Sequence, residues 1–257
     1  KTSFYKRYYI MEKQKYRPYM IVYDKDKKRQ NNFEKNNQLF KNNITHFEAI
    51  DTINNYHQWK TYSLTNNYCN LKYISEEIEN NKLGFLKGKL GCNLSHQLLL
   101  EKIANLDGNN NNWYLVLEDD VDISDNYTFS EINEFLETLI SKIPSKCNYV
   151  QLCVYPQFKS NQSSTLVLNK FILSNGKKYN INKKLPQYGT CAYLITKMAA
   201  KYLTMYRPWD KNIDFLYNSL DQQFNSTAII NPYFMCGGSI DAQDNNTKFS
   251  SLIWDNS

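Results

Sequence analysis

The sequence predicts an α/β protein, a layered fold with a mostly parallel central sheet flanked by helices. Three observations carry this reading. Short apolar runs bounded by turn residues recur along the 257-residue chain, as buried strands do. Segments with helical spacing of apolar residues alternate with them. The run Trp113-Tyr114-Leu115-Val116-Leu117 has no polar alternation, which is the pattern of a strand covered on both faces.

Each element follows in order. Residues 1–18 are basic and Tyr-rich and read as a linker or docking helix before a single domain over 19–257. The first strand is expected at Tyr19–Tyr23, then the charged turn Asp24–Arg29 and a helix near 30–41. A second strand, Ile44–Ile50, ends at Asp51, and residues 52–82 are polar and poorly periodic. Gly84, Gly88 and Gly91 precede the apolar run Leu94–Leu106, whose helix Ser95 would cap. After Trp113–Leu117 come a helix at 130–142, a strand at Tyr149–Tyr155 and a variable region to about 185. The strand Thr190–Thr196, the helices Lys197–Tyr206 and Ile213–Phe224, and the strand Thr227–Met235 complete the pattern.

Composition narrows the function. The chain is 42% hydrophobic and 22% charged, close to globular averages, which argues against wholesale disorder. No apolar run approaches the roughly 18 residues that a membrane-spanning helix needs. The net charge of +6 is modest for a nucleic-acid-binding domain, and no ordered groove-reading element accompanies the basic N-terminal stretch. It suits an anionic small ligand as well. The six cysteines form no CxxC pair and no zinc spacing, so most are expected to be reduced and buried.

The chemistry concentrates at Glu118-Asp119-Asp120, at the carboxyl end of an apolar strand. Three consecutive carboxylates repel one another, and a hard dication relieves that repulsion. The alternative is a solvated acidic loop. Ligands of open α/β sheets sit outside the carboxyl ends of strands, which favours the cation. There is no GxxxxGK[ST] loop and no GxGxxG after the first strand, so P-loop and simple dinucleotide enzymes are disfavoured. A nucleotide-sugar enzyme, whose metal bridges a diphosphate, fits what remains.

Several segments together resemble glycosyltransferase family 25. Gly88-Lys89-Leu90-Gly91-Cys92-Asn93-Leu94-Ser95-His96 is similar to its G-x-x-G-C-x-x-S-H segment, and Leu117–Asp120 to its LEDD motif. Gly189–Thr196 with Ala199-Ala200, and Ile213-Asp214-Phe215-Leu216, resemble two downstream motifs. The tail Ser251–Asn256 is similar to the Trp-Asp ending of collagen-modifying members. The resemblance covers roughly 19–256 and implies a GT-A, Rossmann-like fold, an inverting mechanism, and a UDP-sugar donor with a divalent ion, usually Mn²⁺.

Carried over by position, Asp120 is the direct metal ligand, with Glu118 and Asp119 supporting the ion or the ribose. Ser95 and His96 would lie near the nucleotide at a helix start, and Asp24, Arg29, Asp51 and Thr190 would line its site. The base that deprotonates the acceptor is Asp214 or Asp210, which a short alignment shift exchanges; Trp209 and Tyr188 are aromatic candidates for acceptor stacking, and Asp241 or Asp244 for completing the metal shell. The implied acceptor is hydroxylysine of a collagen-like chain, with a lipooligosaccharide or surface glycan as the alternative. A catalytically silent binding domain is a further reading, and the oligomeric state stays open.

Overall fold

The computed structural model describes residues 15–70, 83–153, 166–183, 190–209, 213, 226–229 and 231–236. It is an α/β sandwich. The elements that place the site are β1 (Tyr16–Val22), α1 (Lys27–Leu39), β2 (Thr45–Glu48), α2 (Tyr56–Thr65), α3 (Leu83–Asn105) and β3 (Trp113–Glu118). There follow β4 (Val121–Ile123), α4 (Phe129–Lys142), β5 (Tyr149–Gln151), β6 (Val167–Ile172), β7 (Lys178–Lys183) and β8 (Ala192–Thr196). The described chain closes with α5 (Lys197–Met205), β9 (Thr227–Ala228) and β10 (Phe234–Cys236).

Eight strands form one sheet in the order β2-β1-β3-β8-β5-β9-β7-β6. Strand β1 runs parallel to β2 and β3, but β8 is antiparallel to both β3 and β5. The sheet is therefore mixed rather than mostly parallel. Strand–helix alternation holds only through the first half; β5 to β8 succeed one another without a described helix, and parallel crossovers need that intervening length.

The apolar strands are covered on both faces. Leu115 and Leu117 pack with Met20, Val22 and the α4 side chains Ile132, Phe135, Leu136 and Leu139. Tyr114 and Val116 pack on the opposite face with Leu99, Leu100 and Ile103 of α3 and Ala199, Ala200 and Leu203 of α5. Period-two alternation thus feeds two cores from one strand. Helix α4 begins with a capping box, Thr128 accepting from the Glu131 amide while Glu131 accepts from that of Thr128.

Four expectations change. Strand β1 starts at Tyr16, so residues 16–18 belong to the sheet rather than to a linker. The polar stretch 52–82 contains α2, and the variable region contains the hairpin β6–β7. Helix α3 starts at Leu83, so the glycine cluster lies inside it and Ser95 sits mid-helix rather than at a cap. The strand expected at Thr227–Met235 is two short strands, and Ile213 is helical while the rest of its expected helix lies outside the described residues.

Glycine at position 91 has a steric reason. A Cβ there would meet Thr52 Oγ1 at 2.5 Å and the Ile50 carbonyl oxygen at 2.9 Å. Its absence lets α3 press against the chain leaving β2, where the Thr52 hydroxyl donates to the Lys87 carbonyl at 2.6 Å. Cys69, Cys92 and Cys147 are reduced thiols. Cys153 and Cys191 are disulfide-bonded. They pair with each other, because Cys236 alone remains and cannot serve both.

Candidate active site

The parallel strands β1 and β3 end side by side, with Ile21 opposite Glu118. A cleft opens past those carboxyl ends, walled by the first turn of α1, the chain after β2 and the middle of α3. Ile21, Tyr23, Arg29, Ser95, His96, Glu118, Asp119 and Asp120 all line it. Including its open mouth it encloses about 650 Å³ of space.

The acidic trio divides its labour. Asp119 is 4% exposed and faces α1, accepting from the Arg29 guanidinium and, at 2.6 Å, from the Tyr23 amide. Helix α1 presents Arg29 there because Asp26 caps its N-terminus, accepting from the Lys28 and Arg29 amides. Glu118 accepts from the Thr190 hydroxyl and meets His96 Nε2 at 3.0 Å. Burial pushes the Glu118 carboxyl up, but the hydrogen bond and charge of His96, the Thr190 hydrogen bond and the charge of Arg29 together bring it down.

Asp120 differs from both. Its Oδ1 is buried with no hydrogen-bond partner in the structure. Burial, then the negative charge of Glu118, pushes its carboxyl up to about 7. A proton or a cation is what such a group lacks, so the residues present fit a hard divalent ion held by Asp120. Among the described lining residues Arg29 is the sole guanidinium or ammonium against three carboxylates. A diphosphate placed in this cleft would meet more negative than positive side chains among the described residues.

The other expected site residues separate into groups. His96 is 1% exposed and fixed between Glu118 and the Tyr193 hydroxyl, which is 2.9 Å from Nδ1. Ser95 is a strut: its hydroxyl donates to the Gly91 carbonyl and accepts from the Ile50 amide at 2.8 Å. Its mid-helix position overturns the phosphate-binding helix start expected there, because mid-helix amides are already bonded within the helix. Asp51 is not among the lining residues and is bound by Lys25 at 2.6 Å, the Asn54 amide and the Tyr23 hydroxyl. Burial would raise its carboxyl, but Lys25 and Asn54 bring it down to about 2.

Asp24 is not among the lining residues and pairs with His46 at 2.8 Å. Trp209 is 1% exposed and donates its amide to the Tyr68 carbonyl, so it is core rather than an acceptor platform. Asp210, Asp214, Tyr188, Asp241 and Asp244 lie outside the described residues. The neighbouring Ile213 amide is anchored by Asn93 Oδ1 on α3 at 2.8 Å.

Sequence reasoning missed Asn32. Its side-chain amide donates to the carbonyls of Asp119 and Val121 at 2.9 and 2.8 Å, clamping the turn that carries Asp120. No local signal marks one functional asparagine among 34.

No curated protein matches the sequence. The profile of glycosyltransferase family 25 (LPS biosynthesis protein) matches residues 16–217, from the first residue of β1 through β3, the acidic trio and α5. That match covers well over half of the chain and shares its starting residue with the sheet. The chain belongs to glycosyltransferase family 25.

Proposed function

We propose that the chain is an inverting hexosyltransferase that moves galactose or glucose from a UDP-sugar to a hydroxyl acceptor, with a divalent cation such as Mn²⁺. The observation that carries this reading is the unpartnered, buried Asp120 oxygen in a cleft at the carboxyl ends of β1 and β3. A cation held there supplies Lewis-acid neutralisation of the charge that develops on the departing diphosphate. Asp120 is its direct ligand, with Glu118 alongside. Asp119, with both oxygens engaged by Arg29 and Tyr23, fixes the turn.

Inversion needs a base on the acceptor side. Asp214, or Asp210 in the competing register, takes the hydroxyl proton as the acceptor oxygen attacks the anomeric carbon opposite the diphosphate. Asp214 follows Ile213 in sequence, whose amide is anchored by Asn93 on α3 beside the cleft-lining Cys92. Hydroxylysine of a collagen-like chain is the first acceptor, on the resemblance of the Trp254-Asp255 tail. The family's association with lipopolysaccharide biosynthesis favours a glycan acceptor as the second reading.

The experiment is a screen of common UDP-sugars with Mn²⁺, read as released UDP, with a hydroxylysine-containing collagen peptide and a lipooligosaccharide core as parallel acceptors. One donor should dominate, and one acceptor should accelerate release. UDP binding without turnover on any donor would instead indicate a silent domain.

A further inference from the structure

A second set of ligands shares the cleft. Cys92 and His96 are four residues apart on α3 and therefore on one face of that helix. Glu118, at the end of β3, faces them. The Cys92 Sγ, a His96 ring nitrogen and a Glu118 oxygen all lie within 4.8 Å of one another. We infer that Cys92, His96 and Glu118 form a binding site for a thiophilic divalent cation of the zinc type, distinct from the hard-cation position at Asp120.

The geometry is close to what such an ion requires. Tetrahedral zinc with ordinary zinc–sulfur and zinc–nitrogen bonds holds its ligand atoms roughly 3.4–3.6 Å apart. His96 Nε2 and Glu118 Oε1 are 3.0 Å apart, so closing the set takes side-chain shifts on the order of 1 Å. The supporting contacts are those of a ligating histidine and carboxylate. His96 Nδ1 is held by the Tyr193 hydroxyl at 2.9 Å, which directs Nε2 to the cleft, and Thr190 donates to the Glu118 carboxylate. In the cation-free site the Nε2 proton bridges to Glu118; a cation that displaces it is taken by the Nε2 lone pair with the Glu118 carboxylate beside it.

Thiolate with imidazole selects zinc-type ions over manganese. All three residues line the cleft, so a fourth coordination position opens to solvent. The other reduced thiols of the described residues, Cys69 and Cys147, are buried, and burial pushes the Cys69 thiol up to about 11. On binding, the Cys92 thiol releases its proton to solvent, the proton between Nε2 and Glu118 is displaced to Nδ1 or to solvent, Nε2 and the carboxylate coordinate, and no electron moves. Glu118 cannot serve this ion and the one at Asp120 fully at once. Zinc therefore opposes Mn²⁺-supported turnover, a consequence that rests on the function proposed above.

Titration of the whole chain with Co²⁺ tests the site without reference to sugar transfer. One equivalent should produce a sulfur-to-cobalt charge-transfer band that Zn²⁺ abolishes and Mn²⁺ does not. Cys92→Ser should remove the band, and Tyr193→Phe should keep it with affinity lowered about tenfold or more. Asp120→Asn should leave band and affinity intact, and unchanged far-ultraviolet dichroism verifies folding of each variant. Absence of the band, its persistence in Cys92→Ser, or its loss in folded Asp120→Asn overturns the inference. If the band behaves as expected but saturating Zn²⁺ leaves Mn²⁺-supported UDP release unchanged, the competition is refuted and the site stands. If Mn²⁺ alone supports no release from any donor, the functional reading fails and the site again stands.

Discussion

Asn32 brackets Asp120: its side-chain amide reaches the carbonyls of the two residues on either side, Asp119 and Val121. A side chain on α1 thereby sets the turn that presents the metal-ligand candidate to the cleft. Asn32→Leu keeps the approximate volume and strands two buried carbonyls, which should cost about 1–3 kcal/mol in urea unfolding. The same variant should weaken Mn²⁺-supported UDP binding, read by calorimetry. Unchanged UDP affinity in a folded variant would show that the turn holds its shape without Asn32.

The Arg29–Asp119 pair joins α1 to the end of β3, with side chains 11% and 5% exposed. Breaking one member of a buried pair leaves an uncompensated charge, so Arg29→Met should cost about 3–5 kcal/mol. Asp119→Asn added to it should recover much of that loss, because the Tyr23 amide keeps an acceptor. A double-mutant cycle measures the coupling. Additive losses would mean that the two groups do not depend on each other.

Asp120 links stability to pH with a definite sign. Its folded pKa, about 7, lies above the unfolded carboxylate value near 4, because burial and Glu118 disfavour its charge. The stabilisation from its bound proton is present below about pH 4 and is lost as pH rises through 7. Cation-free protein should therefore lose thermal stability between pH 5 and pH 8 relative to Asp120→Asn, and Mn²⁺ should restore it at pH 8. Mn²⁺ affinity should rise by up to about tenfold per pH unit below 7 and level off above, since the ion displaces one proton. Parallel pH profiles for wild type and Asp120→Asn would contradict this.

Gly91→Ala probes the contact between α3 and the chain after β2. The new methyl meets a backbone oxygen as well as Thr52, so it cannot be accommodated by one rotamer change. The gain in helix propensity, roughly 1 kcal/mol, should be outweighed by overpacking of about 1–3 kcal/mol. Adding Thr52→Ala should relieve only part of the loss, because the Ile50 carbonyl remains. Thermal unfolding of the single and double variants decides this.

Much of the fold was legible because its strands carry strong local patterns. Trp113–Leu117 has no polar position, and the structure buries it from both sides. The Glu118–Asp120 trio was legible for a similar reason, as three adjacent carboxylates after a buried strand need an explanation. Helix α3 was read short because three glycines resemble a loop locally, whereas Gly91 serves a tertiary contact with residues about 40 positions earlier. The antiparallel entry of β8 between β3 and β5 was hidden because pairing direction depends on partners distant in sequence. Asn32, Tyr193 and Thr190 owe their roles to contacts across 72 to 97 residues, which no local spacing encodes.

Calorimetric titration of UDP into wild type and Asp120→Asn, each with Mn²⁺ and with chelator, tests the central claim most directly. Wild type should bind UDP with Mn²⁺ and lose at least about tenfold in affinity with chelator, while folded Asp120→Asn binds weakly in both. Equal UDP affinity in all four titrations would contradict a cation held by Asp120.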